Sequence, residues 1–246
     1  WPEEMNRCVT SLAAALHFCP TTAAAENLKR EGIPPERIAV TGNTVIDAFV
    51  EVRQRIETDA ALRQACQEQF PFLDSQRKLI LVTGHRRENF GKPLAAICRA
   101  LIRLSRRDDV QIVYPVHLNP NVQETVRKML DAAANVTLLP PVDYPQFVYL
   151  LSRAAIVLTD SGGVQEEAPA AGKPVLVTRD TTERPEGVAA GTVKLVGADE
   201  DRIVAETSHL LDDAQAYAAM AKAINPYGDG QAATRVARRL AEEFSP

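Results

Sequence analysis

Apolar residues recur along this chain in short blocks, each followed by a polar turn and then by an amphipathic stretch. The alternation is most regular from Lys78 onward. Leu79 to Thr83, Gln111 to Val116, Val136 to Leu139, Ala154 to Leu158, Pro174 to Thr178 and Thr192 to Val196 are predicted as strands. Such nearly continuous apolar runs suit strands covered on both faces. Between them, Leu94, Ile97, Leu101 and Leu104 recur at helical spacing, in a helix expected to end in Arg106-Arg107. A helix to about Ala133, one holding Phe147, Leu150 and Leu151, and one closed by Gly172 follow the next strands. Helices are expected over 199–223, and a last one over 231–244 after a tight loop. Repeated strand–helix alternation with right-handed crossovers implies a doubly wound, Rossmann-like α/β domain with a parallel sheet.

Ahead of that block the pattern is sparser. A helix over 3–15, a strand over 16–20, a helix from Thr21 or Thr22 to about Glu31 and a strand over 38–41 make one βαβ unit. It has too few strands for a sheet of its own. Two helices, around 45–56 and 59–69, read as a connector. The expected organisation is a remnant of a first Rossmann-like domain (1–44), connector helices (45–76), the main domain (77–224), and a loop with a return helix (225–246).

Composition adds limits. The 246 residues are 46% hydrophobic and carry a net charge of -4, which argues against a general nucleic-acid or membrane-surface binder. Cys8, Cys19, Cys66 and Cys98 are scattered without a C-x-x-C pair, as reduced and mostly buried thiols would be. No signal-peptide pattern and no long apolar run appears, so the cytoplasm is the expected compartment. No metal-ligand spacing is present. No G-x-G-x-x-G follows a strand, so neither a metal nor a dinucleotide cofactor is expected.

The candidate chemistry lies in the polar turns. In a doubly wound sheet, ligands bind beyond the carboxyl ends of the strands. The turns at His85, His117, Asp143, Ser161 and Arg184 each follow a strand, so all are expected on one rim. Ser161 is a good N-cap, and Gly162 and Gly163 let a ligand approach the backbone, as an anion at a helix N-terminus requires. Glu166 and Glu167 follow about one turn in, within reach of the sugar of a nucleotide. The plain alternative is a turn whose glutamates answer the helix dipole. His85, Arg86 and Arg87 bring positive charge and a titratable ring, as a phosphate needs. His117 reads equally as structural. Phe147 is either core or a stacking surface for a base. Arg184 has two available partners, a phosphate or Glu183.

The strings GHRREN (Gly84 to Asn89), YPVHLNPNV (Tyr114 to Val122), TDSGGVQEEAP (Thr159 to Pro169), GKPVLVTRDTTERPE (Gly172 to Glu186) and NPYGDG (Asn225 to Gly230) resemble the non-hydrolysing bacterial UDP-N-acetylglucosamine 2-epimerases. The likeness runs from WPEEMNR at the start to the last helix. It implies a glycosyltransferase-B-type fold of two Rossmann-like domains, the first largely missing from this chain. It also implies interconversion of UDP-N-acetylglucosamine and UDP-N-acetylmannosamine by UDP elimination and re-addition, without a cofactor. UDP-N-acetylglucosamine is then expected as substrate and allosteric activator, and a homodimer as the assembly. By matching position, Ser161, Gly162 and Gly163 would hold the diphosphate with His85, Arg86 and Arg184 nearby. Glu167 would hold the ribose hydroxyls, and Phe147 would pack near uracil. Glu3 and Arg7 would line the sugar side, with Glu3 or Glu4 as an acid/base carboxylate beside His85 as the other catalytic candidate. Further catalytic carboxylates of the family lie ahead of WPEEMNR. The isolated chain is therefore expected to bind UDP weakly and to turn over poorly or not at all, and epimerisation by it would contradict that. A glycosyltransferase of the same fold, a hydrolysing epimerase and a non-catalytic UDP-binding fragment are the competing readings.

Overall fold

The computed structural model describes residues 2–244. The chain divides into two compact units, one of residues up to Val50 together with those from Pro226, the other from Glu51 to Asn225.

In the first unit, α1 (Glu3–Ala13) leads to β1 (His17–Cys19), α2 (Thr22–Arg30) and β2 (Ile38–Val40). The two strands pair in parallel, with His17 opposite Ile38. Thr21 caps α2 by accepting a hydrogen bond from the Ala24 N–H at 3.1 Å, which satisfies a donor the helix itself leaves open. Helix α3 (Thr44–Thr58) starts in this unit and continues into the second. Its Asp47 carboxylate accepts from Ala232 N–H at 3.1 Å and Ala233 N–H at 2.8 Å. A carboxylate at a helix N-terminus is favoured by both hydrogen bonding and the dipole. The helix it caps is the last of the chain.

The second unit adds α4 (Ala60–Gln69) and a parallel sheet of β3 (Lys78–Thr83), β4 (Val110–Pro115), β5 (Val136–Leu139), β6 (Ala154–Thr159), β7 (Val175–Val177) and β8 (Val193–Leu195). Helices α5 (Lys92–Leu104), α6 (Pro120–Leu130), α7 (Tyr144–Arg153), α8 (Gly162–Ala170), α9 (Pro185–Ala189), α10 (Glu200–Asp212) and α11 (Ala214–Ala221) connect or follow these strands, and α12 (Ala232–Phe244) belongs to the first unit. The strand order is β5-β4-β3-β6-β7-β8, so the direction of winding reverses between β3 and β6. That reversal opens a crevice at the strand ends, the usual ligand position in such sheets. Ile80, Ile112, Ile156 and Leu158 on the central strands are fully buried and pack with Leu101, Leu104, Val126 and Leu130 of α5 and α6. Burial of each such side chain contributes about 1.5–3 kcal/mol.

The expected elements form, with revised ends. Helix α5 stops at Leu104, before the two arginines. Arg107 does not answer the helix dipole. It forms paired hydrogen bonds to Asp109 at 2.9 and 3.0 Å and to Asp212 at 2.8 and 2.6 Å. The stretch 199–223 breaks at Asp213, whose carboxylate accepts from the N–H groups of Gln215 and Ala216 and restarts the helix. Cys19, Cys66 and Cys98 are buried free thiols and Cys8 is exposed. Burial pushes the Cys98 thiol up to about 12. No described helix is long and apolar enough to cross a membrane.

A candidate anion and nucleotide site

The loops after β3 and β6 flank the winding reversal, and their side chains interlock. Asp160, at the end of β6, is 1% exposed. Its carboxylate accepts from His85 N–H (3.0 Å to Oδ2), Arg86 N–H (2.9 Å) and Asn89 Nδ2 (3.1 Å). His85 Nδ1 lies 3.3 Å from Asp160 Oδ1. The GHRREN segment therefore folds back over the sheet as a short 3-10 turn (Arg87–Asn89), docked on one buried carboxylate. Gly84 is required at its start: a Cβ there would stand 2.8 Å from the phenol oxygen of Tyr114, which is itself buried.

Beyond Asp160, Ser161 is the N-cap residue of α8 but makes no side-chain capping bond. The first-turn N–H groups of Gly162 and Gly163 have no intrahelical partner. Gly162 lies beside two guanidinium groups. A Cβ on it would sit 3.8 Å from Arg184 Nη2 and 3.8 Å from Arg86 Nη2. Arg86 Nε is buried without a hydrogen-bond partner, a costly arrangement for a charged donor unless a ligand supplies the acceptor. Helix N-terminus and two guanidinium groups thus bring open donors and positive charge together, the arrangement that an anion requires. Arg87 is exposed.

The sequence left Arg184 between two partners. In the structure Glu183 is taken by Arg179, through 2.6 and 3.0 Å hydrogen bonds, and Arg179 also pairs with Glu88. Arg179 holds the Glu183 carboxyl down to about 2. Arg184 instead donates Nε to Glu166, a buried side chain of α8. Glu166 thus aims an arginine rather than standing open to a sugar. The preceding residue of α8 fixes the loop further: Thr182 Oγ1 donates to Gln165 Oε1 at 2.6 Å and accepts from Arg184 N–H at 3.1 Å. Asn225 Nδ2 binds the Glu166 carbonyl at 3.0 Å.

Glu167, 7% exposed, accepts a 2.6 Å hydrogen bond from the Tyr144 hydroxyl. Burial raises the Glu167 carboxyl above its ordinary value, and the Glu166 charge adds to this, while the Tyr144 bond opposes it. Tyr144 opens α7, where Gln146 Oε1 accepts from Asp143 N–H at 2.9 Å. Asp143 is therefore a capping residue, and Tyr144 is the residue beside it that reaches Glu167. Phe147, half-buried, is three residues on and shares the same helix face. His117 is exposed, with its ring centre 5.7 Å from that of His85, and its Nδ1 accepts from Asn119 N–H at 3.1 Å.

Glu3 and Arg7 lie on α1 of the first unit. Arg7 is held by Glu4 at 2.6 Å and by Glu31 at 2.8 Å. The Glu3 carboxyl is lowered, chiefly by a backbone hydrogen bond, and that of Glu4 chiefly by Arg7. Among the described residues, no group of three or more His, Cys, Asp or Glu side chains is placed to hold a metal ion.

Asp160, Tyr144, Gln165 and Thr182 were not singled out from the sequence. Asp160 and Tyr144 adjoin quoted motifs, but only the fold places them against His85 and Glu167.

Comparison with known proteins agrees with the motifs. A UDP-N-acetylglucosamine 2-epimerase from Salmonella typhimurium is 55% identical over 241 residues, covering 98% of this chain and 64% of the relative. The Escherichia coli enzyme of the same description is 54% identical over the same share. A crystal structure of the Neisseria meningitidis UDP-GlcNAc 2-epimerase bound to UDP-GlcNAc superposes with a TM-score of 0.92 at 44% identity, covering 98% of this chain and 65% of that one. The chain spans 66% or less of the length of these curated relatives. The family model described as UDP-N-acetylglucosamine 2-epimerase matches residues 1–241, and the chain belongs to that family.

Proposed function

We propose that the protein carrying this chain interconverts UDP-N-acetylglucosamine and UDP-N-acetylmannosamine, and that its second unit binds the UDP portion. The observation that carries this reading is the meeting of Arg86 and Arg184 at Gly162, on the N-terminus of α8. Elimination breaks the C1–oxygen and C2–hydrogen bonds and yields a 2-acetamidoglucal, UDP and a proton. Charge builds on the departing diphosphate. Preorganised donors aimed at developing charge are a large source of catalysis. Gly162 and Gly163 N–H groups, Ser161, Arg86 and Arg184 act there, with His85 exchanging a proton at the diphosphate. Glu167 receives the ribose hydroxyls in exchange for part of its bond to Tyr144, and Phe147 flanks the uracil. On re-addition C2 is reprotonated from the other face. Glu3 and Arg7 serve the sugar side, with Glu3 as an acid/base candidate.

We place the protein in the cytoplasm, where nucleotide sugars are made, as a homodimer that UDP-N-acetylglucosamine also activates. Incubating the full-length gene product with UDP-N-acetylglucosamine in deuterated water, without an acceptor, tests the reaction. Deuterium at C2 and appearance of the manno epimer still attached to UDP are expected. Absence of exchange contradicts the proposal and favours a transferase. Release of free N-acetylmannosamine points to a hydrolysing epimerase.

A further inference from the structure

We propose that Asp160 is a positioning residue of this site, fixing where His85 and Arg86 stand and which imidazole nitrogen meets the ligand. The inference rests on the proposed reaction only for its kinetic arm.

Asp160 is almost wholly buried, yet it does not neutralise a neighbouring arginine by a side-chain pair. Its oxygens receive the N–H groups of two successive residues, His85 and Arg86, and the Asn89 amide. Asn89 is itself buried and also donates to the Thr178 carbonyl at 3.3 Å. The carboxylate thus ties the loop after β3 to the end of β6, and Asn89, which it holds, ties the loop to the end of β7. Only an acceptor-only group serves here. A carboxylate offers about four lone-pair sites, whereas an asparagine would turn an NH2 toward groups that are already donors.

The same oxygens face His85 Nδ1 at 3.3 Å. A neutral imidazole carries its proton on one nitrogen, and the partner of the other end decides which. Placed against a carboxylate, Nδ1 keeps the proton, and Nε2 lies on the opposite edge of the ring as the nitrogen left for a ligand oxygen. His117, the nearest ring, does not compete for this role, because its Nδ1 already accepts from Asn119. Arg86 is placed by the same anchor, one residue on, so loss of Asp160 displaces both groups together. A misplacement of about 1 Å in such a constellation costs on the order of a hundredfold in rate.

The test uses the full-length gene product with 15N-labelled histidine, the His85 signals being assigned with a His85→Gln variant. With the ring titrated to its neutral form, nitrogen chemical shifts are expected to show the Nδ1–H tautomer. Asp160→Asn, checked for folding by thermal denaturation, is expected to lose that preference and to lower kcat about a hundredfold, with a smaller change in KM. A wild-type ring found as Nε2–H overturns the proposal. So does an Asp160→Asn protein that changes only one of the two readouts, or neither. Should that variant fail to fold, the wild-type tautomer alone decides. Should the wild-type protein show no epimerisation, the proposed reaction fails, and the tautomers of the two proteins still decide the role of Asp160.

Discussion

Glu167 sits in an environment that works against it. Burial raises its carboxyl above the ordinary value of 4.5, so the folded state favours the protonated form. Its contribution to stability is present at low pH and is lost as pH rises through the raised value. Glu167→Gln removes that loss while its amide oxygen still accepts from Tyr144. The variant is expected to melt above wild type at neutral pH in thermal denaturation, because it no longer carries a carboxyl that burial disfavours in its charged form. The difference should vanish as pH falls below 4.5. UDP affinity, measured by calorimetry, should drop roughly tenfold. A gain in stability together with a loss of UDP affinity is what a binding role for Glu167 predicts. If Glu167 were only a helix-dipole partner, the substitution would lower Tm and leave UDP binding alone. At this scale the glycines, His85 and Glu167 could be singled out because their types match a chemistry, while their roles await the binding measurements. Glu166 was misjudged: its partner Arg184 is 18 residues away and meets it only through the fold.

Among elements, the turn after β3 is held from below as well as by Asp160. Gly84 passes over the Tyr114 hydroxyl so closely that a methyl group would meet it at 2.8 Å. Gly84→Ala is expected to destabilise the protein by about 1–3 kcal/mol, the usual cost of overpacking. Tyr114→Phe removes the obstructing atom, and the hydrogen bond it forfeits is long, 3.5 Å to the Gly84 carbonyl. Denaturant unfolding of the double variant should therefore recover most of the Gly84→Ala loss. Purely additive losses would show that the turn is not seated on Tyr114. The elements themselves were legible from periodicity; their ends were not. Past the end of α5, Arg107 is engaged by Asp109 and Asp212, and α10 ends where Asp213 caps its successor. Such local competition for backbone and charge partners is invisible to an apolar repeat.

For the molecule as a whole, the sequence gives the parallel sheet and the common rim, since every polar turn follows a strand. It does not give strand order. The reversal between β3 and β6 is what brings GHRREN against TDSGG and makes two separate motifs one site. Function at this junction turns on whether it holds a diphosphate. Gly162→Ala isolates the question. Its methyl group would make only ordinary contacts at 3.8 Å, and alanine favours a helix, so folding and Tm should be unchanged while the phosphate path is filled. The decisive measurement is calorimetric titration of the wild-type protein and Gly162→Ala with UDP and with uridine. UDP should bind wild type at least about tenfold more tightly than uridine, a gap of roughly 1.4 kcal/mol, and the variant should lose that gap. Equal affinity for UDP and uridine in the wild type, or undiminished UDP binding by the variant, would contradict the assignment.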